Sequence, residues 1–308
     1  MSPAPDVSVI IPTKDRADIV EKAIGSCLDQ QGISIEVIVV ADGSSQEQAD
    51  AYGGLVTRIG SPVRLLYDEG ARGPGAARNR GIEAADGRYL AVLDDDNLFL
   101  PGMLAAQHLL VEGADDVVAV CGVEILSPDG RTIVERPRAM AARSLSHEPD
   151  PFAVVRPRAF WATFFAPVDM IRDAGAYDAD IWFGEHTELL LRLLDRARFA
   201  TRPEVGTRVH RHYGLSHASR AWERKAEGTR LIMERHAARF DRMPDVKARW
   251  LDVLGMTYLR QGRGADARHA FVESVRAKPS ARALAHLVGA ATGTGRWLAP
   301  GGGDVGET

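Results

Sequence analysis

Tyr89-Leu90-Ala91-Val92-Leu93-Asp94-Asp95-Asp96-Asn97 runs from an apolar stretch straight into three consecutive carboxylates. The apolar part has the length and composition of a buried β-strand. Three like charges at one strand end repel one another and add nothing to stability by themselves. A divalent cation removes the repulsion, and hard Mg2+ or Mn2+ prefers carboxylate oxygen. Such a cation keeps several waters and takes its remaining oxygens from a substrate's phosphates. The competing reading is a solvated acidic turn.

Around this stretch the sequence alternates strand and helix. Val7–Ile11 is a strand stopped by Pro12, and Ile19, Val20, Ala23, Ile24, Cys27 and Leu28 then recur at helical spacing. Ile35–Val40 and Val63–Tyr67 are further strands, and Ala76–Ala85 is a helix leading into the Tyr89–Leu93 strand. Pro101 fits the first turn of a helix reaching Glu112, and Val117–Val123 is a fifth strand. Pro128-Asp129-Gly130 turns a hairpin between Ile125 and Ile133. Continuous apolar strands separated by helices predict an α/β fold whose mostly parallel sheet is covered on both faces. Ligands bind such a sheet beyond the carboxyl ends of its strands. Those ends carry Thr13, Lys14 and Asp15, then Asp42, Asp68 and Glu69, and Asp94–Asp96. Residues 137–160, rich in Pro and Arg, read as a loop over that rim. Glu185–Leu194 and residues 217–240 read as amphipathic helices.

The chain's 308 residues are 45% hydrophobic and 26% charged, with a net charge of −4. That composition predicts a globular protein and argues against nucleic acid or an anionic membrane as its main partner. No signal peptide and no run long enough to span a bilayer is recognisable, so a cytoplasmic location is expected. Cys27 and Cys121 lie in apolar contexts and read as core residues.

Gly73-Pro74-Gly75-Ala76-Ala77-Arg78 follows a strand and opens a helix, but Arg78 stands where a dinucleotide fingerprint needs its third glycine. This excludes a Rossmann dehydrogenase. A glycine turn at a helix start still offers N–H groups to an anion, and Arg78 adds a fork for phosphate or a nearby acid. The alternative is a tight turn with Arg78 as an ion-pair residue. Asp42, at a strand end before Gly43, can accept from a nucleobase imide or can cap a turn.

The ordered set Val7-Ser8-Val9-Ile10-Ile11-Pro12-Thr13, Val39-Val40-Ala41-Asp42-Gly43-Ser44, Ala77-Arg78-Asn79-Arg80-Gly81-Ile82, Ala85-Asp86-Gly87-Arg88-Tyr89 and Leu93-Asp94-Asp95-Asp96-Asn97 up to Pro101 resembles the inverting GT-A glycosyltransferases of family 2. The resemblance is strong over residues 6–125 and looser to about residue 220. It implies a GT-A fold and metal-dependent transfer of a sugar from a nucleotide donor to an acceptor, with Mn2+ or Mg2+ as cofactor. By that resemblance Asp42 contacts the base, Pro12 and Thr13 line the nucleoside pocket, and Asp96 is the main metal ligand. Asp94 and Asp95 support the metal or the donor sugar and ribose. Asp15, Gly73 and Arg78 complete the expected donor-binding rim. The donor is a UDP-, GDP- or dTDP-sugar, and the expected acceptor is a soluble small molecule, saccharide or peptide.

Inverting transfer needs a base for the acceptor's hydroxyl proton. The family supplies it from a Glu-Asp pair at a helix start, and the matching stretch here is Gly184-Glu185-His186-Thr187-Glu188-Leu189. His186 replaces the Asp, which leaves Glu185, His186 and Glu188 as candidates. His210, Arg211, His212 and His217 follow a strand, and His212 is the candidate for the metal or the diphosphate. Phe160, Trp161, Phe164, Phe165, Trp182 and Phe183 suit a stacked acceptor, with about half of them expected in the core. A sugar nucleotidyltransferase is the nearest alternative enzyme, but Pro12-Thr13-Lys14-Asp15-Arg16 lacks that class's glycine-rich loop. A scaffold that recruits a partner through its helices is the other alternative.

The end differs in kind. Leu254-Gly255, Tyr258, Gly262, Ala267, Phe271 and Pro279 match tetratricopeptide spacing, with a further helix at Ala281–Ala291. One such hairpin needs a neighbour to bury its face, so a homodimer through these helices is possible. The expected organisation is a GT-A domain over 1–216, a helical region over 217–298 and a disordered tail over 299–308.

Overall fold

The first strand does not stop at Pro12. In the computed structural model, which describes residues 4–210 and 218–292, β1 runs Val7–Thr13. It lies between β2 (Ile35–Asp42) and β4 (Tyr89–Val92), parallel to both. Leu93 N–H donates to the Ile10 carbonyl, so Ile10, and Pro12 two residues on, turn their polar edge toward β4. The last β4 register pair is Ile10↔Val92. The N–H that Pro12 lacks would therefore point past the end of β4, and no ladder bond is lost.

The sheet order is β3-β2-β1-β4-β9-β6-β10-β5, with β3 Val63–Asp68, β5 Leu98–Phe99, β6 Val117–Leu126, β9 Phe165–Pro167 and β10 Arg198–His210. β7 (Thr132–Glu135) pairs with β6, and β8 (Met140–Ser144) with β10. The core ladders are parallel, and the short β9 runs antiparallel between β4 and β6. Val9, Ile10 and Ile11, and Val37 through Ala41, are fully buried. Successive residues point to opposite faces, so both faces are covered. Helices α1 (Ala17–Leu28), α2 (Gln46–Ile59), α3 (Pro74–Glu83) and α4 (Met103–Val111) connect these strands. Gly81 lets α3 approach β1: a Cβ there would lie 2.4 Å from Ile10. Cys27 and Cys121 are buried and unpaired by disulfide, and burial pushes the Cys121 thiol up to about 12.

Residues 137–160 are not a loop over the rim. They hold β8, α5 (Pro151–Val155) and the start of α6 (Pro157–Thr163). Both helices open on a proline, whose missing N–H is no loss in a first turn, and the Asp150 side chain caps α5 by accepting from Ala153 N–H. Thr163 Oγ1 accepts from Cys121 N–H at 3.0 Å, which seats α6 on β6. After β9 come α7 (Val168–Asp173) and α8 (Glu185–Leu193).

The chain divides into two compact units, Met1–Asp180 with His186–Tyr213, and Ile181–Glu185 with Gly214–Thr308. The second unit contains α9 (Ala218–Arg235), α10 (Ala237–Asp241), α11 (Pro244–Arg260), α12 (Gly264–Ala277) and α13 (Ala281–Thr292). α11 and α12 form the expected hairpin, turned at Gly262 with φ +76°. A Cβ on Gly255 would lie 2.5 Å from the Phe271 ring, so glycine permits the two helices to meet. Within this unit Ala226 of α9 and Ala290 of α13 share the core of Leu254, Tyr258, Ala267 and Phe271. The hairpin thus finds neighbours in its own chain. Among the described residues no helix is long and apolar enough to cross a membrane. The tail expected over 299–308 lies outside the described residues.

Candidate active site

The carboxylate triplet begins two residues past the end of β4, beside the end of β1. Asp95 is buried and accepts from Thr13 Oγ1 at 2.6 Å and from Arg16 Nη1 at 3.0 Å. The same Arg16 nitrogen lies 3.1 Å from Asp96 Oδ2. Arg78 Nη2 donates to Asp94 Oδ1 at 2.8 Å. The repulsion expected of three adjacent carboxylates is thus relieved by two arginines. Burial raises the Asp95 carboxyl above its ordinary value, and the hydrogen bond from Thr13 and the Arg16 charge offset this only in part.

Arg16 is the rim residue that the sequence did not single out. Asp15 brings it there by adopting φ +52°, a left-handed conformation that Asp tolerates better than most residues. That turn is pinned to the β2–α2 connection, with Asp15 N–H donating to Ser44 Oγ and Asp15 Oδ1 accepting from Ser45 N–H. Tyr52 of α2 completes it, its hydroxyl accepting from Arg16 N–H at 2.8 Å and lying 3.0 Å from Thr13 Oγ1. Pro12 is partly buried at the same strand end.

Asp42 and Gly73, which lie far apart in the sequence, meet each other. Asp42 accepts from Arg72 N–H at 3.1 Å through both oxygens and from Gly73 N–H at 3.0 Å. The anion held by the glycine turn is this carboxylate. Gly43 makes the approach possible: with φ +66°, a Cβ there would lie 2.5 Å from Ala71. Asp42→Ala is therefore expected to lower stability by about 2 kcal/mol, because it strands the buried Gly73 amide and the half-buried Arg72 amide. Asp42→Asn, which keeps one acceptor oxygen, should cost less than half of that. Urea denaturation measures both, and an unchanged midpoint in Asp42→Ala would count against the brace.

At the start of α8, Glu185 and His186 are both buried. His186 Nδ1 lies 3.0 Å from the Tyr177 hydroxyl, and its ring packs among Tyr177, Phe164 and Trp161. Burial, with the Arg78 charge added, holds His186 well below its ordinary value, so it is neutral at pH 7. The Arg78 guanidinium also lies 5.5 Å from the Tyr177 ring centre, which links Asp94 to the surroundings of His186. Glu188 has both carboxylate oxygens on Arg192, at 2.6–2.9 Å, while Arg192 also donates to the Ala174 and Ala176 carbonyls. Of the aromatics, Phe160, Phe164 and Phe165 are core residues, Trp161 and Phe183 are partly buried, and Trp182 is exposed.

His210 closes β10 next to the triplet. Its Nδ1 lies 2.8 Å from the Asp96 carbonyl, and its N–H donates to Asn97 Oδ1. A carbonyl only accepts, so His210 carries hydrogen on Nδ1. His212 and His217 lie outside the described residues.

The model for glycosyl transferase family 2 matches residues 8–169, more than half of the chain. The chain belongs to glycosyl transferase family 2. Among curated relatives, it is 42% identical over 130 residues to the succinoglycan biosynthesis protein ExoO of Rhizobium meliloti, covering 42% of this chain and 36% of ExoO. It is 31% identical over 126 residues to the putative teichuronic acid biosynthesis glycosyltransferase TuaG of Bacillus subtilis, covering 41% of this chain and 50% of TuaG. The chain thus spans half or less of the length of these relatives. S. aureus TarS in complex with UDP-GlcNAc superposes with a TM-score of 0.64 at 15% identity, over 96% of this chain and 90% of that one. The mannosyltransferase PcManGT of Pyrobaculum calidifontis, in complex with GDP-Man and Mn2+, gives 0.57 at 18% identity, over 96% and 81%. These two likenesses show the GT-A fold.

The family 2 match contains Asp42, Arg78 and Asp94–Asp96 and ends before Glu185. Among the described residues no three His, Cys, Asp or Glu side chains are grouped as a metal cage. The donors at the rim are carboxylate oxygens, of which Asp94 and Asp96 keep 33% and 18% of their side-chain surface exposed. That set fits Mg2+ or Mn2+ held by one or two carboxylates and a substrate's phosphates, and it does not fit a closed zinc site.

Proposed function

We propose that this family 2 chain is an inverting, metal-dependent glycosyltransferase. It moves a sugar from a nucleoside diphosphate sugar to a hydroxyl of a small molecule, saccharide or peptide. The observation that carries this reading is the carboxylate triplet on the carboxyl-end rim of the sheet, where such folds bind ligands. Asp96 and Asp94 would hold Mg2+ or Mn2+, with His212 a further candidate, and the ion would stabilise charge on the departing nucleoside diphosphate. Thr13, Pro12 and Asp15 bound the nucleoside side of the rim, with Asp42 ordering the Gly73 turn beside it. Arg78 holds Asp94 in place and adds positive charge for phosphate. Glu185 accepts the acceptor's hydroxyl proton. Neutral, weakly basic His186 and Arg192-bound Glu188 are less suited to that role.

A thermal-shift screen of UDP-, GDP- and dTDP-sugars with and without Mn2+ tests the reading. A ligand of the native state at about a hundredfold above its Kd stabilises it by ~2.7 kcal/mol, enough to move the melting point by several degrees. The expected result is a shift with one nucleotide that requires Mn2+. No shift with any of the three would refute the reading.

A further inference from the structure

Arg16 occupies an unusual position. It is the N-cap residue of α1, yet its side chain makes no capping bond. A cation at a helix N-terminus faces the positive end of the dipole, and Arg is not among the residues that cap well. Asp15 before it sits at φ +52°, a conformation that is uncommon for any residue with a side chain even though Asp bears it better than most. Two disfavoured choices next to each other are thus kept, and together they swing one guanidinium onto the triplet. A single nitrogen, Nη1, then serves both Asp95 Oδ1 at 3.0 Å and Asp96 Oδ2 at 3.1 Å. The side chain reaches in from solvent, 46% exposed against 7% for Asp95 and 18% for Asp96.

That arrangement leaves one positive charge shared between two carboxylates, one of them the metal ligand of the function proposed above. A divalent cation entering at Asp96 competes for the same oxygen. A guanidinium released from that oxygen has its planar N–H fork available, and such a fork matches phosphate. We propose that Arg16 is an exchangeable counter-ion. It closes on Asp95 and Asp96 when no nucleotide is bound, gives up Asp96 to the divalent cation, and turns its fork to the diphosphate that arrives with it. The inference rests on the metal role assigned to Asp96.

The two halves of the role have opposite signs. Without nucleotide, Arg16 opposes the cation, so Arg16→Gln should bind bare Mn2+ more tightly than the wild type, by about fivefold for the loss of one partly exposed ion pair. With UDP or GDP present, whichever the wild type binds, Arg16→Gln should lose most of the nucleotide-induced gain in Mn2+ affinity. Arg16→Lys keeps the charge and loses the fork. It should bind bare Mn2+ within twofold of the wild type while still losing part of the nucleotide-induced gain.

Electron paramagnetic resonance of free Mn2+ in titrations of the full chain reads all three proteins, with Asp96→Asn beside them. Tighter bare Mn2+ binding in Arg16→Gln, together with a reduced nucleotide gain, supports the proposal. Equal or weaker bare Mn2+ binding in that variant overturns it while leaving the metal site standing. A full nucleotide gain in Arg16→Lys overturns the diphosphate half, and that variant serves if the Gln protein does not fold. Failure of Mn2+ to bind the wild type, or equal binding by Asp96→Asn, overturns the metal reading and this inference with it.

Discussion

Asp96→Asn is expected to lower sugar transfer by roughly two to three powers of ten, the scale on which removing one preorganised electrostatic contact acts. The same variant should bind Mn2+ weakly or not at all with nucleotide present. Its fold should survive. Asp96 stands at the rim and shares Arg16, itself 46% exposed, with Asp95, and an ion pair of that kind contributes ~0–1 kcal/mol. Asp95→Asn makes the contrast. Asp95 is buried and takes the Thr13 hydroxyl as well as Arg16, so its replacement should lower the melting point in addition to any loss of activity. Turnover, Mn2+ resonance and a melting curve on the two variants separate a metal-facing carboxylate from a structural one. Transfer at the wild-type rate by Asp96→Asn, with Mn2+ still required, would place the metal elsewhere.

The strands that could be read from the sequence were those with continuous apolar runs, because burial on both faces leaves a pattern that needs no partner to interpret. Val7 onward, Ile35 onward and Tyr89 onward fall in this class. β9 does not. Three residues between α6 and α7 become a strand only because β4 and β6 offer edges on either side of them. Over residues 137–160 the density of Pro and Arg suggests a loop, whereas Pro151 and Pro157 stand where a helix tolerates them. Within the site, Asp94–Asp96 were legible as a cluster because three adjacent like charges at the end of an apolar strand need neutralising, although the sequence does not tell that Thr13, Arg16 and Arg78 do part of it. Arg16 was not legible. Its part depends on the backbone conformation of Asp15 and on the approach of α2, neither of which has a sequence period. Asp42 and Gly73 were each visible, but not their contact, which spans 31 residues.

The resemblance assigns the proton acceptor to the Glu185–Glu188 stretch, and Glu185→Gln is the substitution with the largest expected effect there. It should lower turnover by roughly two to four powers of ten while donor affinity is retained. His186→Ala should cost less, because a ring buried among aromatics and near Arg78 is a poor base at neutral pH. His186→Asp, which restores the Glu-Asp pair that the resemblance implies, should be tolerated in turnover. The lowered His186 value also has a signed consequence for stability. Below pH ~6.5 the unfolded chain takes up a proton on this residue while the native state does not. Native stability therefore declines on the acid side, and the decline should be shallower in His186→Ala when melting is compared at about pH 5.5 and 7.5. Glu188→Gln should fail differently. It breaks a bidentate pair whose carboxylate is 3% exposed, so it should lose ~2–3 kcal/mol of stability, with turnover per folded molecule kept near that of the wild type. Rate profiles alone do not separate these residues, since a carboxylate and an imidazole both give a rising acid limb. Glu185→Gln, His186→Ala and Glu188→Gln do, because the first lowers turnover, the second changes the pH dependence of folding and the third changes stability at every pH. Near-wild-type turnover in both Glu185→Gln and His186→Ala would remove both side chains as the base and leave the proton to Glu188 or to the acceptor itself.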